Sequence, residues 1–514
     1  MYTLFYGALI TPVSLTEHRT LPHALLAVER ETGDIAWIED NVPASSLQDV
    51  LARRGILSLE DVDLVELKLG EFLMPGFIDT HIHAPQVPNI GSGQQYELLD
   101  WLEHVTFPME ARFEDEHFAR RAYTSVIKRT IDYGSTTCCY YGTLHLEGTK
   151  ALAEVIHKYG QRAFVGKCNM DRNSPPNYVE PSAAASLAAT RALIAHIRAL
   201  PPPPGRAGEP LVRPILTPRF AISCSHELLA GLGALAAEDP ALHIQTHISE
   251  NAGEIRFTKE LFPPASLPKP PAPLPSNGAT GEAKVVKNGK KLESTYAGVY
   301  DAFGLLRRNT VLAHAVHLED EEVEIIKARE AGISHCPTSN FNLRSGCARI
   351  GMLLDHGIKV SLGTDVSGGF SPSILSAVQH ASMCSKVVAT QARTPPPPGT
   401  RFTDRQLPVP TLLYLATQGG ADVCDIGERV GSLAPGKAFD ALVVSVRSDV
   451  GNPATWGVDM DLELGVREAE LGEDESEEVE LESFLERFLF CGDDRNVRRV
   501  YVQGRLIGGK DFGM

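Results

Sequence analysis

Two histidines one residue apart, His81-Ile82-His83, close an apolar stretch that runs from Leu73-Met74-Pro75-Gly76 through Phe77-Ile78 to Asp79-Thr80. The stretch reads as a buried strand opened by a Pro-Gly turn. Side chains alternate along a strand, so both imidazoles leave on one face and Ile82 on the other. Paired imidazoles at a strand end make half of a tetrahedral metal site. Three further segments offer the other half. They are His243-Ile244-Gln245-Thr246-His247 with Ile248-Ser249-Glu250 behind it, Leu312-Ala313-His314, and Leu362-Gly363-Thr364-Asp365. Imidazole nitrogens with a carboxylate suit Zn²⁺ or Fe²⁺ and leave a position for water. An ion so held can activate a bound water for attack.

These segments are far apart in the chain, so a fold must gather them. Short β-branched or apolar runs alternate with longer helical patterns. The predicted strands are Phe72–Thr80, Ser135–Tyr140, Arg162–Asn169, Arg213–Pro218, Leu242–His247, Thr310–His314, Gly332–Cys336 and Lys359–Gly363. Predicted helices include Glu116–Tyr133, Ala183–Leu200, Asp320–Ala331 and Ser373–Ala389. Eight strands alternating with helices point to an α/β fold, a (β/α)₈ TIM-like barrel, whose functional groups gather at the carboxyl ends of its strands. The candidate residues above all fall at such ends.

The chain ends differ from the middle. Residues 1–74 and 409–514 carry short strand-like runs such as Ala441–Val446 and Val500–Val502. They are expected to pair as a small β-sandwich domain beside a barrel over 75–408, with Met1–Tyr6 as an edge strand. Pro201–Pro204, the proline- and lysine-rich stretch at about 264–293 and Pro395–Pro398 read as surface insertions of polyproline character. The run from Asp461 to Glu486 is carboxylate-rich, with Arg467 its single base, and reads as an acidic surface segment.

Composition narrows the partners. A net charge of −17 argues against nucleic acid and anionic membrane surfaces. No apolar run approaches the roughly 18 residues of a membrane span. Nine cysteines without CxxC spacing fit free thiols in a reducing cytoplasm.

The sequence resembles the amidohydrolase superfamily, in its mononuclear metal-dependent deaminase branch. The carrying segments are Pro75–Gln86, Pro218-Arg219-Phe220, His247–Asn251, His335–Asn340, Gly363–Gly369 and Gly492–Asn496. The resemblance covers nearly the whole chain and fails near 201–209, 264–293 and 467–480. It implies one metal ion per chain, zinc before iron, held by His81, His83, His247 and Asp365. It implies catalytic roles for Glu250 as proton shuttle, for His314 as the group orienting the attacking water, and for Asp365. It implies a purine held by Gln86, Arg219 and Phe220. The expected reaction is hydrolysis of guanine to xanthine and ammonia, by a cytoplasmic homodimer acting on a small molecule. Alternatives are a pterin or triazine-like amino-heterocycle, or a non-catalytic barrel scaffold. A binuclear amidase needs a bridging lysine at the end of the fourth strand, where Thr217-Pro218-Arg219 stands instead. His317 is expected in a loop past its strand, and His335 as a packing or supporting group. His145, His226 and His243 show no partner pattern, Cys336 lines rather than binds, and Cys138-Cys139 is a buried strand pair.

Overall fold

The computed structural model describes residues 1–513 apart from 57, 59–61, 203–208, 272–293 and 464–472; for 461–463 and 473–479 it describes the backbone alone. Most of the proline- and lysine-rich stretch, part of Pro201–Pro204 and much of the acidic run therefore lie outside the described residues.

Eight parallel strands pair in chain order: β1 (Phe77–His83), β2 (Ser135–Tyr141), β3 (Arg162–Gly166), β4 (Val212–Pro218), β5 (His243–Ile248), β6 (Thr310–His314), β7 (Gly332–His335) and β8 (Val360–Leu362). Every residue of β1 and β2 is buried, as strands covered on both faces require. The barrel closes at its carboxyl end. There the Asp365 N–H donates to the His81 carbonyl at 2.8 Å and the His83 N–H to the Val366 carbonyl at 3.2 Å. Beneath that seam Thr80 Oγ1 lies 2.6 Å from Ser334 Oγ and 2.7 Å from Ser361 Oγ, and donates to the Leu362 carbonyl at 2.9 Å. The outer helices start where the sequence supplies caps. Asp115 accepts from the N–H groups of His117 and Phe118, Ser182 from Ala185 and Ser225 from Leu228.

The expected barrel geometry is present, with strand ends moved by a few residues. One expected strand is two. Glu71–Pro75 joins the terminal sheet, and the barrel strand begins only at Phe77. Gly76 is the hinge: its N–H donates to the Asp440 carbonyl, and a Cβ there would sit 2.1 Å from Thr136 Cγ2. Arg162–Asn169 likewise breaks after Gly166, where a Cβ would meet Thr217 Oγ1 at 1.9 Å.

The two chain ends build one eight-stranded sheet in the order 505–508, 497–502, 441–445, 71–75, 2–14, 17–29 and 35–39, with 63–66 also on 2–14. Tyr2–Ser14 is therefore not an edge strand, because partners flank it on both sides. Its Phe5 and Leu9 pack with Leu73, Phe439, Val443 and Tyr501, while Leu4 turns the other way toward Leu25, Trp37 and Leu51. A buried ion pair, Arg162 Nε to Asp440 Oδ2 at 2.9 Å, ties this sheet to the barrel. After residue 408 the chain makes the helices Val409–Ala416 and Gln418–Val423 before its first strand. Ala421 and Cys424 pack there with Ile78, Cys139, Phe164 and Ile215 inside the barrel.

Candidate metal centre and active site

The carboxyl ends of β1, β5 and β8 bring His81, His83, His247 and Asp365 together, with one donor atom of each lying within 4.8 Å of the others. His81 Nε2 stands 3.1 Å and His83 Nε2 3.4 Å from Asp365 Oδ1, and His83 Nε2 is 3.1 Å from His247 Nε2. Tetrahedral ligands about 2.1 Å from a shared centre stand about 3.4 Å apart, so these spacings fit a zinc-sized ion. The donor chemistry fits as well. Burial lowers the pKa of His81, His83 and His247, so all three are neutral lone-pair donors. Burial works against the Asp365 carboxylate, and only positive charge at the centre of His81, His314 and His83 offsets it; a held cation would supply that charge while the rings stay neutral. His81 Nε2 has no hydrogen-bond partner, although it is buried 3.1 Å from a carboxylate oxygen. A cation held between them would account for that.

His247 is oriented from behind: its Nδ1 lies 2.5 Å from the Arg219 main-chain carbonyl, which leaves Nε2 to face the other ligands. Asp79 accepts from the Thr364 hydroxyl at 2.6 Å, from the Thr364 N–H and from the His81 N–H, tying the β1 ligands to the loop of Asp365. Ser249, His314 and Asp365 all have left-handed backbones, with φ of 48°, 77° and 45°. Non-glycine residues held this way are concentrated at functional sites.

Glu250 and His314 form the second tier. His314 Nε2 is 3.4 Å from Glu250 Oε2 and 3.7 Å from Asp365 Oδ2, while its Nδ1 is 3.0 Å from Asn340 Oδ1. Burial, reinforced by the charges of Asp365 and Glu254, pushes the Glu250 carboxyl well above its ordinary value. A carboxyl shifted in this direction binds a proton more readily than a free one, as a proton-transferring group needs. Ser345 Oγ donates to its Oε1 at 3.3 Å.

His83, His247, Asp365 and Glu250 open on a cavity also lined by Leu98, Trp101, Leu102, Phe220 and Leu343. Gln86 and Arg219 lie in its wall. Sequence reading missed what holds them. Glu110, fully buried, accepts from Gln86 Nε2 at 2.8 Å, Arg219 Nη1 at 2.6 Å and Tyr178 OH at 2.6 Å. Asn340 and Ser345 also went unread as supports. His335–Asn340 stood among the matched segments, but no spacing rule tied Asn340 to His314.

The histidines set aside stay apart from the quartet. His317 Nε2 lies 2.7 Å from the Ser345 carbonyl, and His243 Nε2 lies 2.9 Å from that of Cys424. His226 meets Ser266 and His145 packs on Tyr178. His335 is buried at the end of β7, where burial lowers its pKa to about 3. Cys138 and Cys139 are buried in β2, and Cys336 is buried as well.

The family model described as "Amidohydrolase family" matches residues 72–507. A protein of Schizosaccharomyces pombe described as "Probable guanine deaminase" is 42% identical over 512 residues, covering 98% of this chain and 83% of that one. The guanine deaminase of Dictyostelium discoideum is 36% identical, covering 98% of each chain. Among solved structures, guanine deaminase from C. acetobutylicum with guanine bound in its active site superposes with a TM-score of 0.76. It is 31% identical, over 98% of this chain and all of that one.

Proposed function

The chain belongs to the amidohydrolase family, and on that basis we propose that it hydrolyses guanine to xanthine and ammonia, with His81, His83, His247 and Asp365 holding one divalent ion. Relatives similar over 98% of the chain carry guanine deaminase as their name, and a solved neighbour holds guanine itself. One observation in this molecule carries the reading: a cluster of four metal-type donors, Glu250, and the polar side chains Gln86 and Arg219 meet at a single cavity.

When bound, the ion would supply a water made acidic enough to attack at neutral pH. The residues do the rest. Arg219 and Gln86 meet the polar edge of the base and Phe220 lies against its face, so that C2 faces the ion site. Asp365 accepts a hydrogen bond from the attacking water and His314 orients it towards C2, leaving its other hydrogen to Glu250. Glu250 moves one of the water's protons to N3 and the other to the leaving amine. Oxygen has then replaced nitrogen at C2, ammonia departs, and the protons balance.

Zinc is the ion we favour, because imidazole nitrogens with one carboxylate suit it best. A reducing compartment fits nine cysteines none of which is paired in a disulfide. No helix among the described residues is long and apolar enough to cross a membrane. The test is ammonia release from guanine, adenine, guanosine and a pterin, with metal content measured on the same sample. Guanine should be turned over far faster than the others. Preference for adenine or a pterin would overturn the substrate and leave the metal-dependent deaminase standing.

A further inference from the structure

We propose that Glu110 is the positioning residue of the substrate wall. Its carboxylate fixes Gln86 and Arg219 in the arrangement that reads a purine's polar edge, without touching the substrate. The proposal rests on the guanine-deaminating reading of the site.

Glu110 ends the helix Phe107–Glu110, in the excursion between β1 and the first outer helix. It is fully buried and stands behind the cavity, whose lining includes Gln86 and Arg219 but not Glu110. A buried carboxylate is costly unless its oxygens are satisfied. Here Oε1 accepts from Gln86, while Oε2 accepts from Arg219 and Tyr178. This pattern has a consequence for each partner.

The Gln86 amide is held at both ends, because its Oε1 accepts from the Ser367 N–H at 3.0 Å while its Nε2 donates to Glu110. Rotating the amide by half a turn would set oxygen against carboxylate and NH₂ against N–H. Both contacts would be repulsive, so only one orientation is open to it. The second Nε2 hydrogen is then available to a ligand in the cavity that Gln86 lines. For Arg219, the bond from Nη1 to Glu110 and the Phe107 ring 5.2 Å from its guanidinium carbon define the plane of the head group. Despite burial, the negative charge of Glu110 keeps that guanidinium protonated. Two donors of the wall are thus aimed before any base arrives, which reduces the ordering that binding would otherwise require.

Glu110→Gln keeps the shape and breaks the pattern. Whichever end of the new amide carries nitrogen meets a donor, either Gln86 on one side or Arg219 and Tyr178 on the other. Guanine kinetics on metal-loaded protein should show KM raised about 30-fold with kcat within about threefold of wild type. Metal content should be unchanged. Glu110→Asp keeps the charge but cannot reach both partners, so it should fold as wild type and give an intermediate rise in KM. A residue that only supports folding would instead lower kcat in step with the folded fraction and leave KM alone. Unchanged KM in the two variants, or in Glu110→Asp alone if Glu110→Gln does not fold, overturns the proposal. Wild type is assayed first: no turnover of guanine there overturns the functional reading and this proposal with it, whereas wild-type turnover with unmoved KM overturns Glu110 alone.

Discussion

The two sides of the cavity are satisfied in opposite ways. On the ion side, His81, His83, His247 and Asp365 crowd donor atoms within 4.8 Å, and His81 Nε2 has no hydrogen-bond partner. On the substrate side Gln86 is bonded at both ends of its amide, and Glu110 collects three donors. The first side is built around something it must receive. The second is complete by itself and needs only to be approached. Removing the ion should therefore disturb the first side and leave the second as it is, and the predictions that follow separate the two.

The largest effect is expected for His83→Ala. Metal content by elemental analysis and ammonia release should fall together, to background; full metal content with lost activity would remove His83 from the ligand set. Glu250→Gln comes next and should divide the ion side within itself. The ion stays and kcat drops by about three orders of magnitude, because both proton transfers lose their carrier. Single-turnover kinetics with guanine would measure this, and near-normal turnover would move the shuttle role to His314.

Arg219→Ala sharpens the contrast. The main-chain carbonyl that orients His247 survives the substitution, so metal content should be intact while kcat/KM for guanine falls about 100-fold. The same variant strips buried Glu110 of its cation and should lose about 3 kcal/mol of stability in a denaturant titration. Loss of metal in Arg219→Ala would mean that the two sides are one unit. The smallest effect is expected for Asn340→Ala, which frees His314 Nδ1. Activity should drop about tenfold with metal retained, the usual scale for a group one step behind the reacting centre.

How far these residues were legible follows from how local their signals are. His81 and His83 announce themselves because two residues of one strand fix their geometry, and Thr310–His314 was read to the residue because a β-branched run ends in the functional group. Asp365 and His247 likewise close apolar runs. Glu110 gave no such signal. In Phe107-Pro108-Met109-Glu110 a glutamate looks like an ordinary helical surface charge, and only folding sets it against Arg219, which is 109 residues away in sequence. The Pro75-Gly76 turn is legible as the place where the strand opens, but that Phe72–Pro75 belongs to another sheet is not, because the apolar stretch runs on across the turn. Met1–Tyr6 reads as an edge because its partners on one side, Asp63–Glu66 and Glu71–Pro75, lie some sixty residues downstream and no local pattern ties them to it.

The sheet built from both chain ends also sets an order of events on the ribosome. Residues 71–75 pair with 441–445, Phe72 opposite Val444 and Leu73 opposite Val443. One edge of that strand therefore stays open while the entire barrel is being synthesised, a long exposure for unpaired backbone groups. The emerging protein must shield this edge or have it shielded. A chain stopped before residue 441 would keep His81, His83, His247 and Asp365 and still present an unfinished sheet to its neighbours.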